Sequence, residues 1–135
     1  MKKLLSIVCC AMVLFTVSSC TKQYITPNQN QTVYKDVAAA DWTAFTDGNG
    51  SKSYTVSLPV NALDPASAKY DGVIVSISYD GGTTYEQLPE VYGGTSFSYT
   101  YNAGDVSLYA QSPDGGTAIL PQDPIKVKIV LVYSN

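Results

Sequence analysis

Apolar and polar residues alternate with a period of two through most of this chain beyond residue 31, and nothing else in it constrains the fold as tightly. Tyr54, Val56, Leu58 and Val60 alternate with Thr55, Ser57 and Pro59. Val73, Val75, Ile77 and Tyr79 alternate with Ile74, Ser76 and Ser78. The same pattern runs through Phe97-Tyr99-Tyr101, Val106-Leu108-Ala110 and Ile125-Val127-Ile129-Leu131-Tyr133. Successive strand residues point to opposite faces, so each run reads as a strand with one buried face. Thr32 to Val37 and Tyr85 to Leu88 are shorter candidates, which brings the count to about seven strands.

The turns between the runs are well marked: Asp47-Gly-Asn-Gly50, Asp80-Gly-Gly82, Gly93-Gly94, Asn102-Ala-Gly104 and Asp114-Gly-Gly116. Gly and Asn tolerate the positive φ of tight hairpins. Only Ala38 to Phe45 and Ala62 to Tyr70 suggest helical turns, and both are too short for a helical layer. The expectation is an all-β chain: a single β-sandwich-like domain of about seven antiparallel strands, spanning 32–135. The last run carries apolar residues on both faces in its second half, as a central strand does. Ser78-Tyr-Asp-Gly-Gly-Thr83 recurs as Ser112-Pro-Asp-Gly-Gly-Thr117, each followed by a Leu-Pro pair. Two copies are too few for a solenoid, so the repeat reads as two similar hairpins within one sandwich.

The first residues carry a different signal. Lys2 and Lys3 precede an apolar stretch from Leu4 to Val17, and Ser18-Ser19-Cys20 closes it. The stretch is shorter than the roughly 20 apolar residues of a spanning helix and fits the roughly 7–15 of a secretory signal. Small residues before a Cys at the end of the apolar core are the layout of a bacterial lipoprotein signal. The expectation is cleavage of residues 1–19 and acylation of Cys20 by palmitate-type chains, which places the protein on a membrane of the cell envelope. Several acyl chains, at about 0.8 kcal/mol per buried CH₂, anchor far more firmly than the single chain that binds only marginally. The alternatives are an ordinary secretory signal and an uncleaved anchor. Residues 20–31 then comprise the lipidated Cys and a polar, Pro27-containing flexible tether. No acidic run follows Cys20, which favours the periplasmic face of the outer membrane over the cell surface.

Composition excludes several functions. The formal net charge is −3, there is no His, and no Arg occurs. Loss of Lys2 and Lys3 on cleavage makes the chain more acidic still. Phosphate recognition needs clustered Lys or Arg, so nucleic acid is excluded as a partner. Without His there is no Ser-His-Asp or Cys-His nucleophile system and no common zinc hydrolase site. Cys9 and Cys10 lie in the signal, so the mature chain keeps Cys20 alone and has no disulfide. No cofactor or metal is expected.

The remaining candidates are aromatic and carboxylate side chains. Of the 11 Tyr, Tyr79, Tyr85, Tyr92, Tyr99, Tyr101 and Tyr109 cluster along the chain. An exposed row of Tyr on a sheet can stack on sugar rings, whereas a buried Tyr is an ordinary strand residue with its hydroxyl at the rim. Tyr79, Tyr99 and Tyr101 share the parity of apolar neighbours and are assigned to the core. Tyr92, in a loop, and Tyr109, of polar parity, are the candidate ligand-binding residues. Asp47-Gly-Asn-Gly-Ser51 has the alternating oxygens of a calcium loop, but an EF-hand needs Glu at its twelfth position and Leu58 stands there. Local hydrogen bonding is the better reading of that turn. Glu86 and Glu90 flank Leu88-Pro89 and form the one candidate carboxylate pair for glycoside hydrolysis; surface solvation is the plainer account.

The run Gly72-Val-Ile-Val-Ser-Ile-Ser-Tyr-Asp-Gly-Gly-Thr-Thr-Tyr-Glu-Gln-Leu-Pro89, with Phe97 to Tyr101, Tyr109 to Gln111 and Ile125 to Val132, resembles a group of small uncharacterised lipoproteins of the Bacteroides phylum. The resemblance covers nearly the whole mature chain. It implies a lipid-anchored β domain and transfers no activity or functional residue. The expectation is therefore a non-enzymatic envelope lipoprotein, a binding or assembly module for a protein or glycan partner. A carboxylate-dependent glycan hydrolase and a purely structural lipoprotein are the alternatives.

Overall fold

A computed structural model describes residues 29–134. The signal segment, Cys20 and most of the tether lie outside the described residues. The described chain forms nine strands: β1 (Gln31–Val37), β2 (Thr43–Thr46), β3 (Lys52–Pro59), β4 (Gly72–Ser78), β5 (Glu86–Gln87), β6 (Glu90–Tyr92), β7 (Thr95–Asn102), β8 (Asp105–Gln111) and β9 (Ile125–Val132). They build two antiparallel sheets, β1-β9-β4-β5 and β2-β3-β8-β7-β6. The all-β, sandwich-like architecture expected from the alternation is the one observed.

Two strands go beyond those the alternation marks. β2 follows a single 3-10 turn at Ala39–Asp41, so the segment read as a helical turn is half turn and half strand. β6 is a three-residue edge strand directly after Pro89. The other expected helical turn is α1 (Pro65–Tyr70), and its start is built from sequence. The Asp64 side chain accepts the Ser67 N–H at 2.8 Å, and Pro65 occupies the first turn, where a missing N–H costs nothing.

The two inner faces supply the core. Val56, Leu58, Val106, Leu108, Ala110 and Phe97 come from the five-stranded sheet. Val73, Val75, Ile77, Val127, Ile129 and Leu131 come from the four-stranded sheet. β9 is central, paired with β1 on one side and β4 on the other. That position explains its apolar residues on both faces. Trp42 fills the space beside Phe97, with ring centroids 6.2 Å apart, and its Nε1 has no hydrogen-bond partner among the described residues.

The internal repeat is a repeat of turn chemistry. In each copy a Ser hydroxyl donates to the Asp two residues on, Ser78 to Asp80 at 2.7 Å and Ser112 to Asp114. In each the Asp also accepts backbone N–H groups, from Thr83 and Thr84 or from Gly116. The first Gly takes positive φ in both, +74° at Gly81 and +79° at Gly115, which a side chain would resist. The surroundings differ, and this corrects the reading as two similar hairpins. The first copy joins β4 to β5 within one sheet, while the second opens the crossing from β8 to β9 in the other sheet. Both families of hydrogen bonds favour ionised carboxylates. Asp80 is held down to about 2, first by the Thr84 N–H and then by the Ser78 hydroxyl, and Asp114 is lowered chiefly by Ser112.

Candidate functional site

The chain passes from one sheet to the other between β5 and β6, across a cis Leu88-Pro89 peptide. β5 and β6 are both edge strands, so this crossing forms one open side of the sandwich. Register decides what faces inward there. Glu86 pairs with Ile77, whose side chain is fully buried, and Glu90 pairs with Phe97, also buried. Both glutamates therefore project toward the seam between the sheets. Tyr92 has the same inward parity, opposite buried Thr95. Tyr79, one residue past the end of β4, continues the buried parity of Val75 and Ile77 to the same place.

These four side chains meet. The rings of Tyr79 and Tyr92 stack with centroids 3.8 Å apart and planes within 9°. The Tyr79 hydroxyl donates to Glu90 Oε1 at 2.9 Å. Phe97 backs Tyr79 at 6.0 Å from below. Burial and the neighbouring Glu90 carboxylate push the Tyr79 hydroxyl far above its ordinary value, so it stays protonated and donating. Glu90 is itself raised, first by partial burial, then by a hydrogen bond with the Glu86 carboxyl and by that group's like charge; the Tyr79 hydroxyl pulls the other way.

The stacked pair lines two hollows. One is a cleft of about 220 Å³, bounded by Thr95, Phe97 and the crossing segment Ile119 to Asp123. The second is a hollow of about 210 Å³, bounded by Asp80, Thr84 and Glu86. A third depression, bounded by Asp36, Asp41, Asp123 and Lys126, also reaches Tyr79. Tyr79 is the side chain common to all three. Lys126 there is engaged at 2.6 Å by Asp36, which raises its pKa.

The residues singled out from sequence are dispersed differently from expectation. Tyr92 ends strand β6, not a loop; the three-residue strand is fixed by its pairing with β7. Tyr92 is 49% exposed, as a binding residue needs to be. Tyr109 lies on the outer face of the five-stranded sheet, half-buried, edge-on to Phe45 at 5.8 Å and 3.2 Å from the Thr100 hydroxyl. The two candidates are on opposite faces of one sheet and form no common surface. Tyr79 and Tyr99 pack against the core, and Tyr99 donates its hydroxyl to the Val73 carbonyl at 2.7 Å. Tyr101 shares their parity yet is 39% exposed, because the inner face runs out at the end of β7. Glu86 and Glu90 are not simply solvated, since the seam brings them together. Asp47 spends both carboxylate oxygens on its own turn, accepting from the N–H groups of Asn49 and Ser51 and from the Ser53 hydroxyl. No group of three or more metal-ligating acidic or thiol side chains occurs among the described residues. Cys20 lies outside them.

The Tyr79–Tyr92 stack was hidden from sequence because it joins two sheets. The available signal was parity: Tyr79 continues the inward series of β4 beyond its last buried residue. Comparison with protein-family models, curated proteins and solved structures gives no match to this chain.

Proposed function

We propose that this chain is a lipid-anchored lipoprotein of the cell envelope, acylated at Cys20, that works as a non-catalytic binding or assembly module for a protein or glycan partner. The cleft at Tyr92 is its binding site. The observation that carries this reading is the Tyr79–Tyr92 stack at the open side of the sandwich, with Tyr92 half exposed above a hollow. Preformed concave sites with exposed aromatic rings and a few polar groups are where ligands bind. The absence of His and Arg from the sequence supports the non-catalytic half of the proposal.

The runner-up is a carboxylate-dependent glycan hydrolase using Glu86 and Glu90, favoured by the raised proton affinity of Glu90. Glycosidases hold their carboxyls about 5 Å or more apart to admit the sugar and the water. Glu90 is engaged by the Tyr79 hydroxyl at 2.9 Å, which supports the binding reading instead. Hydrolysis of envelope polysaccharides by the purified protein, lost in Glu86→Gln, would establish the hydrolase.

A photo-crosslinking residue placed at position 92 in cells, with one at position 70 as control, tests the proposal. Tyr70 is 65% exposed and adjoins the start of β4, whereas Tyr79 follows its end. A partner captured from 92 and not from 70 is the expected outcome. Equal capture from both positions removes the cleft from the site.

A further inference from the structure

We infer that the partner held at the Tyr92 cleft is a neutral saccharide, one sugar ring of which packs on the exposed Tyr92 ring. The inference rests on the binding-module reading above and assigns its ligand class.

The platform is rigid before any ligand arrives. Tyr79 covers one face of the Tyr92 ring at 3.8 Å, and Tyr79 is itself fixed by its hydrogen bond to Glu90 and its contact with Phe97. A ring held this way loses little conformational freedom on binding, which is where an aromatic contact gains its advantage. Tyr92 stays 49% exposed and lines the cleft together with Tyr79. The far wall is apolar, with Ile119 61% exposed beside Leu120 and Pro121. A cleft lined by an exposed aromatic ring and aliphatic side chains accepts a flat body with C–H groups on its two faces. A pyranose ring is such a body, and it carries hydroxyls around its edge.

The polar groups around the cleft decide the charge. Asp123 and Gln122 line the cleft, and Glu86 and Asp80 line the second hollow at the stack. These are acceptors, apart from the Gln122 amide, and they match the O–H donors of a sugar. No Lys lines either hollow, and the Lys126 of the adjoining depression is held by Asp36. A uronate, sulfate or phosphate group would meet carboxylates with no cation to offset them, so acidic saccharides are disfavoured.

Calorimetric titration of the full chain with xylohexaose, mannohexaose, cellohexaose and maltohexaose, and with a galacturonate oligomer, tests this. The expected result is binding of at least one neutral oligomer, weakened about tenfold or more in Tyr92→Ala and unchanged in Tyr109→Ala. Both variants must melt as a folded protein does, and the exposure of Tyr92 allows it. If no neutral oligomer binds at millimolar concentration, or the galacturonate oligomer binds more tightly, the saccharide class is overturned. The cleft itself then survives only if position 92 still captures a protein by crosslinking. Neutral-oligomer binding that is indifferent to Tyr92→Ala overturns both the class and the cleft.

Discussion

Tyr79 and Glu90 belong to different sheets, and the 2.9 Å hydrogen bond between them closes the seam that the cis Leu88-Pro89 crossing opens. Its electrostatic setting is unusual for an edge. Glu90 is partly buried and faces the Glu86 carboxyl, so the seam is easier to protonate than an isolated glutamate.

That raised proton affinity makes stability depend on pH in a defined direction. Folded Glu90 keeps its proton to higher pH than unfolded Glu90 does. The associated stabilisation is complete below the unfolded value of about 4.3 and is lost as pH rises through the folded value. At neutral pH the two ionised carboxyls repel. Glu86→Gln removes the repulsion and spares the Tyr79–Glu90 bond. Its melting temperature should exceed that of the parent at about pH 7, with the gap closing near pH 4. Solvent screening at this exposed edge keeps the gain below about 1 kcal/mol. A lower melting temperature for Glu86→Gln at neutral pH would refute carboxyl repulsion.

The central strand offers a contrast between its two faces. Ile129 is fully buried between the sheets, while Val130 beside it faces outward and is half-buried. Ile129→Ala should cost about 2–5 kcal/mol, a large share of the roughly 5–15 kcal/mol of a small domain. Val130→Ala should cost well under half of that, about 1 kcal/mol. Urea denaturation of the two variants measures the difference, and equal losses would mean that the outer face is covered.

β1 is a seven-residue edge strand with one side unpaired. Lys35 sits on it opposite Val127, so its stem points inward and its ammonium must emerge at the seam toward β2 and β3. An inward charge on an edge discourages another strand from adding there. Lys35→Val should leave the monomer at least as stable and increase its self-association. Light scattering across a concentration series reads this directly. A variant that stays monomeric at every concentration tested would leave Lys35 without that protective role.

Gly81 and Gly82 both have positive φ, yet they should respond differently to Ala. At Gly81 a Cβ meets nothing within 4 Å, so only backbone strain is felt, about 1 kcal/mol. At Gly82, with φ +98°, a Cβ would press on Lys126 Cδ at 3.1 Å and the Tyr85 hydroxyl at 3.2 Å. Gly82→Ala should therefore be the costlier change, by up to about 3 kcal/mol in total. Thermal melts of the two single variants compare them, and a Gly81 variant as damaged as the Gly82 one would count against the steric argument.

The long strands were legible because burial on one face imposes a period of two, and Val106 to Ala110 displays it without interruption. β2 was not, because Thr43-Ala-Phe-Thr46 completes barely one alternation after an Ala run that suggests helix. β6 has three residues and follows a proline, so its pairing with β7 is settled by tertiary context alone. For the site, sequence marked Tyr92 and, separately, the Glu86–Glu90 pair. It did not mark that they converge with Tyr79, because convergence depends on the chain changing sheets at Leu88-Pro89. Tyr109 had the polar parity of an exposed residue, and Phe45, from the strand that went unread, is what partly covers it.

The course of β1 has a mechanical consequence. Gln31 begins the strand beside Leu131, and Val37 ends it beside Ile125, which borders the cleft. The strand thus traverses the sandwich, about 20 Å at roughly 3.3 Å per residue, from the N-terminal side to the ligand side. Tension applied between the start of β1 and the cleft would act along the strand axis. It shears all the β1–β9 hydrogen bonds together and does not unzip them one at a time. A domain threaded this way would resist a pull on the start of β1 far better than one whose first strand runs crosswise.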